Sequence, residues 1–397
     1  MNRKPRPALG ASVSTPPTSR PLRELAALFL RLGLTAFGGP AAHIAMMEDE
    51  VVRRRGWLTH AEFLDLLGLT NLIPGPNSTE MAIHVGQQRA GLRGLLVAGS
   101  AFIVPAAALT GTLAWAYVRY GAQPRARALL YGIKPVMIAI VVQALLALAP
   151  KAAKTRSLLA IGLVSLVLAA CGVNELCCLG FAGLAELVMV RRWSPPPPLL
   201  LVRISASGAL VSAASAAKVA VSPFSLSALF LVFAKIGSVL FGSGYVLLAF
   251  LRSDFVEQRH WLTEAQLLDA VAVGQVTPGP VFTTATFIGY LLGGTMGAVL
   301  ATLGIFLPAF CFVAISGWLL PKIRRSPSLG AFLDGVNVAS LALMAVVTLQ
   351  LGRAALIDLP TVLLAVASGV LLVRYQLSST WLIAGGALIG IASQGLG

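Results

Sequence analysis

The sequence predicts an all-α polytopic membrane protein built from two inverted-topology repeats, each carrying a Pro-Gly-Pro broken or re-entrant helix. Of 397 residues, 57% are hydrophobic and 11% charged, and the mean hydropathy is +0.84; soluble domains carry about 25% charged residues. Pro-Gly-Pro occurs twice inside apolar segments, at Pro74, Gly75, Pro76 and at Pro278, Gly279, Pro280. Proline removes a backbone donor and displaces the residue before it from helical geometry. At membrane depth such backbone is tolerated only where protein or a cavity satisfies it. The third observation is an internal duplication: WLTHAEFLDLLGLTNLIPGP from Trp57 matches WLTEAQLLDAVAVGQVTPGP from Trp261, an offset of 204 residues. The same offset pairs Phe29 with Phe233, Arg31 with Lys235 and Gly33 with Gly237. Past the break an offset of 203 pairs Gly94 with Gly297 and Pro105 with Pro308. Register held over about a hundred residues marks a repeat.

In chain order, residues 1–21 are polar, basic and rich in Pro, Ser and Thr, and read as a disordered tail with no apolar core of a signal peptide. The first repeat, 22–191, opens with an apolar helix over 24–47 that contains the cluster Gly38, Gly39, Pro40. A charged amphipathic link led by Trp57 follows, with the tryptophan at interfacial depth. The broken segment spans 62–90, and four apolar helices follow near 94–118, 129–149, 157–170 and 175–190. Residues 192–226 form a linker with a proline tract and a weakly apolar stretch from Ile204 to Val221. The second repeat, 227–397, has a helix over 227–250, a break over 265–292, and helices near 297–320, 329–351, 359–373 and 380–394.

The linker decides the topology. If it crosses along with both broken segments, there are 13 spans, and the basic loops gather on one face with the N-terminus inside, the better positive-inside score. If the breaks are re-entrant hairpins and the linker does not cross, each half has five spans. Both arrangements invert the halves; a 12-span parallel arrangement ranks third because its halves have opposed charge preferences.

The candidate site starts at the breaks. Proline at the start of a resuming helix leaves the next amides unpaired at the positive end of the helix dipole, which suits an anion. This selects Pro74, Gly75, Pro76, Asn77 and Ser78 in the first half and Pro278, Gly279, Pro280 and Thr283 in the second. Paired breaks in corresponding places are a pointer to a transporter's substrate site; a plain proline hinge is the bland reading. Arg31 and Lys235 sit at matched places within apolar helices, where a charge costs about 3 kcal/mol and needs a partner or a wet cavity. Lys134, beside Pro135, is similar, with neutral Asn337 as its mate. Snorkelling, or for Arg31 a pair with Glu24, is the alternative. Gly38, Gly39, Gly242 and Gly244 either unwind helices beside the cavity or allow close packing. Glu80 and His84 lie four apart on one helix face and are the proton-coupling candidates, with no ionisable counterpart in the second half before Tyr290. His43 reads as structural. Asp65, Asp269, Glu48, Asp49, Glu50 and Asp254 read as solvated pairs or gate contacts at membrane borders.

Other classes find no support. The net charge of +15 is scattered over short loops, which fits orientation and anionic lipids better than nucleic acid. Cys171, Cys177, Cys178 and Cys311 form no CxxC pair and read as packing residues. Nothing suggests a metal, a cofactor, a nucleophile with its base, or the GxxxxGK[ST] loop of an ATP-driven pump. A small anion and anionic lipids are the expected partners, and a homodimer is left open.

The runs FLRLGLTAFGGPAAHIAMM, RRRGWLTHAEFLDLLGLTNLIPGPNSTEMAIHVGQQRAG, FGSGYVLLAFL and WLTEAQLLDAVAVGQVTPGPVFTTATFIGY resemble the chromate ion transporter family in its long two-domain form, from about Leu28 to Leu349. The resemblance implies chromate efflux across the bacterial cytoplasmic membrane and chromate resistance, with sulfate as the close analogue. It places family motifs on Gly38, Gly39 and Pro40, on Pro74 to Ser78 and Glu80, on Gly132 to Pro135, on Phe241, Gly242 and Gly244, and on Pro278 to Pro280. The second half departs at Ser243, Val281 and Phe282, which make it less polar. The expected function is secondary export of chromate, driven by membrane potential, with or without protons. The alternatives are a sulfate or other oxyanion transporter of the same fold, a membrane-embedded reductase, and an anion channel.

Overall fold

The computed structural model describes residues 21–37, 39–121, 123–193, 224–241, 246–323 and 327–394. The tail before residue 21 and the linker stretch from Ile204 to Val221 lie outside them, as do Gly38, Gly242 and Gly244. Among the described residues the secondary structure is helical, without strands. The first half runs α1 (Pro21–Thr35), α2 (Gly39–Glu48), a π-helical turn (Asp49–Arg54), α3 (His60–Thr70), α4 (Asn77–Tyr120), α5 (Pro124–Ala152), α6 (Arg156–Ala170) and α7 (Glu175–Trp193). The second half gives α8 (Leu226–Val239), α9 (Leu247–Leu251), a π-helical turn (Arg252–Gln258), α10 (Glu264–Val276), a 3-10 turn (Val281–Thr283), α11 (Thr284–Ile323), α12 (Pro327–Ala355), α13 (Leu359–Tyr375) and α14 (Ser379–Gln394).

The duplicated sequence produces duplicated local geometry. Thr59 and Glu62 close a capping box on α3, and Thr263 and Gln266 close the same box on α10. Each box satisfies two amides that the helix start would leave orphaned. α4 bends sharply at Ala90 (φ −147°, ψ 27°) and Gly91 (φ 59°, ψ −147°), and α11 bends at Gly293 (φ −139°, ψ 21°) and Gly294 (φ 60°, ψ −151°). A positive φ suits glycine, so these two glycines set the turn. Past it the chain doubles back, and Gly86 lies against Gly94 as Gly289 lies against Gly297.

The expected single first helix of each half is instead a folded pair. α1 ends at Thr35 and α2 returns from Gly39 (φ 81°), because the Gly-Gly-Pro sequence breaks the ladder. Its closed form is held by Arg31 on α1, whose Nη2 lies 2.6 Å from Glu50 Oε1 on the returning limb. α3 and the first limb of α4 form a second folded pair. Arg89, at the end of that limb, stacks over Trp57, which precedes α3, at 4.2 Å, and pairs with Glu24 near the start of α1 at 2.9 Å. The starts of α1 and α3 and the end of the limb therefore share one level, and the reversals between them share another.

α1 buries Leu25, Leu28, Phe29 and Leu32, one face at helical spacing, against α4, where Phe29 meets Phe102 edge-on at 6.4 Å. The equivalent face of α8, Leu229, Val232, Phe233 and Ile236, packs on α11. α5 packs against α13 and α14 of the other half, and α12 packs against α6 and α7, so the terminal helix pairs are exchanged. Gly132 on α5 touches the backbone of Gly386 on α14, and Gly335 on α12 touches that of Ala182 on α7. Small residues at such contacts are how helices associate where lipid removes the hydrophobic driving force. Large apolar side chains cover the outside, among them Leu92, Leu231, Leu349 and Trp381. Among the described residues, four helices are long and apolar enough to cross a membrane: within α4, α5, α11 and α12. The chain is a multi-pass membrane protein.

Candidate site at the crossed Pro-Gly-Pro breaks

α3, at 11 residues, is about 16 Å long, roughly half the ~30 Å hydrocarbon thickness. The reversal after it therefore falls inside the protein, and its backbone needs partners. They come from the other half. Gly75 N–H donates to Leu240 O at 2.8 Å, and Gly279 N–H donates to Ala36 O at 2.9 Å. Ala36 and Leu240 end the first helices of their halves and are themselves repeat equivalents. The two breaks thus cross-bond, each to the opposite half's helix end. Gly75 has φ 140° and Gly279 φ 88°, conformations that exclude ordinary side chains.

Pro76 (φ −79°, ψ 96°) caps α4 without a side-chain acceptor. Thr79 and Glu80 amides bond back to Pro76 O at 2.8 and 3.0 Å, while those of Asn77 and Ser78 precede any acceptor in the helix. Ser78 is buried, and its hydroxyl lies 3.4 Å from His43 Nδ1. His43 Nε2–H donates to Ala36 O at 3.0 Å, so Nδ1 of the neutral ring accepts from Ser78. One carbonyl, Ala36 O, therefore ties His43, the first hairpin and the second break together. Glu80 is 0% exposed, and neither carboxyl oxygen has a partner among the described residues. Gly75 sits directly over it, with no room for a Cβ beside Glu80 Oε1. Thr79 Oγ1 and His84 Nε2 are likewise buried without a partner.

The second break presents hydroxyls. Thr283 donates to Pro280 O at 2.9 Å and lies 3.2 Å from Thr110, whose Oγ1 is 3.3 Å from Thr277. Thr284 donates to Val281 O at 2.8 Å. Asn77 points elsewhere, to Asn71 Oδ1 at 2.9 Å.

Each expected cation has a carboxylate partner. Arg31 and Glu50 border a cavity of about 460 Å³ with Thr35, Asp49 and Arg54. Lys235 Nζ lies 2.5 Å from Asp254 Oδ1, the repeat equivalent of the Arg31–Glu50 pair. Lys134 Nζ lies 2.9 Å from Asp269 Oδ1, whose other oxygen accepts from Tyr117 at 2.8 Å. This pair borders a cavity of about 520 Å³ with Arg127 and Tyr131. Glu50, Asp254 and Asp269 are therefore buried partners of the intramembrane cations, not solvated border charges, because the folded hairpins carry them inward. Glu48 and Asp49 do pair with neighbouring Arg53 and Arg54 as expected.

Sequence reasoning missed Thr110, Thr277 and the role of Asp269; His43, read as structural, bonds Ala36 O and Ser78. The recurrence of Asp65 and Asp269 in the duplicated motif was a usable signal, whereas Thr110 in an apolar run gave none. Among the described residues no group of three or more His, Cys, Asp or Glu could hold a metal. Outside the spanning helices, Asp358 caps α13, and its carboxyl is held below the usual range by the Tyr131 hydroxyl and then by the Thr361 amide.

The profile of the chromate transporter family matches residues 23–206 and 227–391. The chain is 35% identical over 385 residues to the chromate transport protein of Cupriavidus metallidurans, covering 96% of this chain and 95% of that protein. It is 33% identical over 345 residues to the probable chromate transport protein of Synechococcus elongatus, covering 86% and 88%. It is 34% identical over 345 residues to the chromate transport protein of Pseudomonas aeruginosa, covering 85% and 82%. No solved structure matches.

Proposed function

The chain belongs to the chromate transporter family, and from that premise we propose that it is a secondary transporter exporting chromate across the bacterial cytoplasmic membrane. The observation that carries the site assignment is the reciprocal bonding of the breaks, Gly75 N–H to Leu240 O and Gly279 N–H to Ala36 O. It brings the start of α4 and the 3-10 turn before α11 to the contact between halves. The amides of Asn77 and Ser78, which precede any acceptor in α4, suit the oxygens of a tetrahedral dianion, and the hydroxyls of Ser78, Thr110 and Thr283 turn to it from His43, Thr277 and Pro280 O. Gly39, Pro74, Pro76, Pro278 and Pro280 shape the reversals in this reading. Arg31 and Lys134, each at the edge of a cavity, and Lys235 attract the anion by exchanging their carboxylates.

The halves are taken as inverted and the folded pairs as re-entrant. The support is that Tyr117, near the far end of α4, meets Asp269 on α10 and Phe287 on the first limb of α11. The end of one half's long limb thus lies level with the other half's hairpins. Two hairpin layers approaching from opposite faces give alternating access around a fixed centre. An inside-negative potential favours exit of a dianion by about 4.6 kcal/mol per 100 mV, from about 2.3 per charge. An ionised Glu80 would repel the dianion, so Glu80, with His84, takes up a proton when the anion binds.

Chromate accumulation in everted vesicles under imposed potential and pH gradients tests this. Potential-driven accumulation in the wild type is expected, falling at least about tenfold in Glu80→Gln, a loss of about 1.4 kcal/mol in transition-state terms. Normal transport in Arg31→Ala, Lys235→Ala and Glu80→Gln together would reject the site, and accumulation in the opposite direction would reject export. Sulfate added in excess reports whether the site separates two dianions of one shape.

A further inference from the structure

The cavity of about 520 Å³ is lined by one face of α5, which carries Arg127, Tyr131 and Lys134 at i, i+4 and i+7. Arg127, on the first turn of α5, is exposed, and Lys134 lies about 10 Å further along the helix axis. Lys134 Nζ is 2.9 Å from Asp269 Oδ1 on α10, and Asp269 is 4% exposed. The contact is a charge contact alone: buried Oδ1 receives no hydrogen bond, whereas Oδ2 accepts from the Tyr117 hydroxyl at 2.8 Å. Among the described residues Arg127 has no carboxylate partner. We propose, on the reading that the cargo is a divalent oxyanion, that this cavity is a second oxyanion station, in which the anion takes the Lys134 ammonium from Asp269 and is held from the first turn of α5 by Arg127.

Two cations and one carboxylate line the cavity, so one positive charge is left over. Asp358 reaches Tyr131 at 2.7 Å, but its oxygens are already taken by that hydroxyl and by the Thr361 amide at the start of α13. A dianion presents Lys134 with the same oxygen chemistry as Asp269 and twice its charge, and charge-assisted bonds of this kind are the strong ones. Tyr117 meanwhile keeps Asp269 anchored, so the displaced carboxylate is not left bare. The duplication shows that the station exists once. At the offset of 203, Arg127, Tyr131 and Lys134 correspond to Gly330, Asp334 and Asn337, a face of α12 without a cation, and Tyr117 corresponds to Leu320. Asp269 has a counterpart in Asp65, so the carboxylate recurs while its cation does not. The station also communicates with the crossed breaks. Thr277, eight residues beyond Asp269 and about 12 Å along the same helix, lies 3.3 Å from Thr110. An anion that frees Asp269 therefore frees the helix that ends at the binding centre.

Equilibrium binding of labelled chromate to the purified full chain tests this, in liposomes without anionic lipid so that no acidic headgroup competes. Two saturable classes are expected in the wild type, both displaced by sulfate. Lys134→Gln and Arg127→Gln lose one class, Lys134→Arg keeps it, and Ser78→Val with Thr283→Val weakens the other. Asp269→Asn removes the tethered competitor and should tighten the station at least about fivefold. Binding in folded Asp269→Asn no tighter than in the wild type overturns the exchange. Where that variant does not fold, equal binding in Lys134→Gln and Lys134→Arg overturns the station. A single class that survives Lys134→Gln and is weakened in the break variant also overturns it, and leaves the crossed breaks as the site. A class lost in Lys134→Gln with the break variant unaltered supports the station and counts against the crossed breaks alone.

Discussion

Removing the ammonium of Lys235 leaves Asp254, 1% exposed, without its cation. An uncompensated buried charge costs about 3–5 kcal/mol. Lys235→Ala should therefore lose that much stability in reversible detergent unfolding. Arg31→Ala should lose less than about 1 kcal/mol, because Arg31 is half exposed and Glu50 retains Arg54 and Arg55. Equal losses would show that the two repeat-related pairs share one charge balance after all. Gly279→Ala tests the break itself. Its φ of 88° is strained for alanine, and the new methyl meets Ala106 Cβ, so about 1–3 kcal/mol should be lost in the same assay. The sequence exposed these residues only in part. Arg31, Lys235 and Lys134 stood out as charges in apolar runs, but their partners could not be read. Glu50, Asp254 and Asp269 come within reach only once Gly39 and the breaks fold the chain back.

At the scale of elements, the most legible features were those with a local cause. Duplicated capping boxes start α3 and α10, which stop at Thr70 and Val276, before the two Pro-Gly-Pro triplets. The first helix of each half was not legible as a folded pair, because a Gly-Pro cluster reads equally as a kink, an unwound turn or a reversal. The pairings of Arg31 with Glu50 and of Lys235 with Asp254 show which. The cap of α13 offers a test outside the membrane. The Asp358 carboxyl is depressed in the folded state, chiefly by Tyr131 and then by the Thr361 amide. Its contribution is therefore present above the ordinary carboxylate value of about 3.9 and is lost as pH falls through the folded value. Tyr131→Phe should lower thermal stability above that value and flatten the acid limb of the profile, leaving stability at pH below the folded value unchanged. An unaltered acid limb would mean that this hydrogen bond contributes nothing to the cap.

The whole molecule is organised by exchange between halves. Breaks bond to the opposite half's helix ends, and α5 and α12 each receive the other half's terminal pair. Sequence revealed the duplication but not this exchange, since a repeat specifies like pieces and not which copy each piece packs on. Residues 22–191 produced alone should fail to fold, because α5 then lacks α13 and α14; co-production with 192–397 should restore a complex. A stable isolated half would argue against the exchanged packing. The central claim is that the crossed breaks form the binding centre for chromate. Equilibrium binding of labelled chromate to the purified chain in liposomes tests it most directly, comparing Ser78→Val with Thr283→Val in one chain against the surface control Lys154→Ala. The account predicts saturable binding in the wild type and the control, weakened at least about tenfold in the break variant, equivalent to about 1.4 kcal/mol. Wild-type affinity in a folded break variant would contradict it.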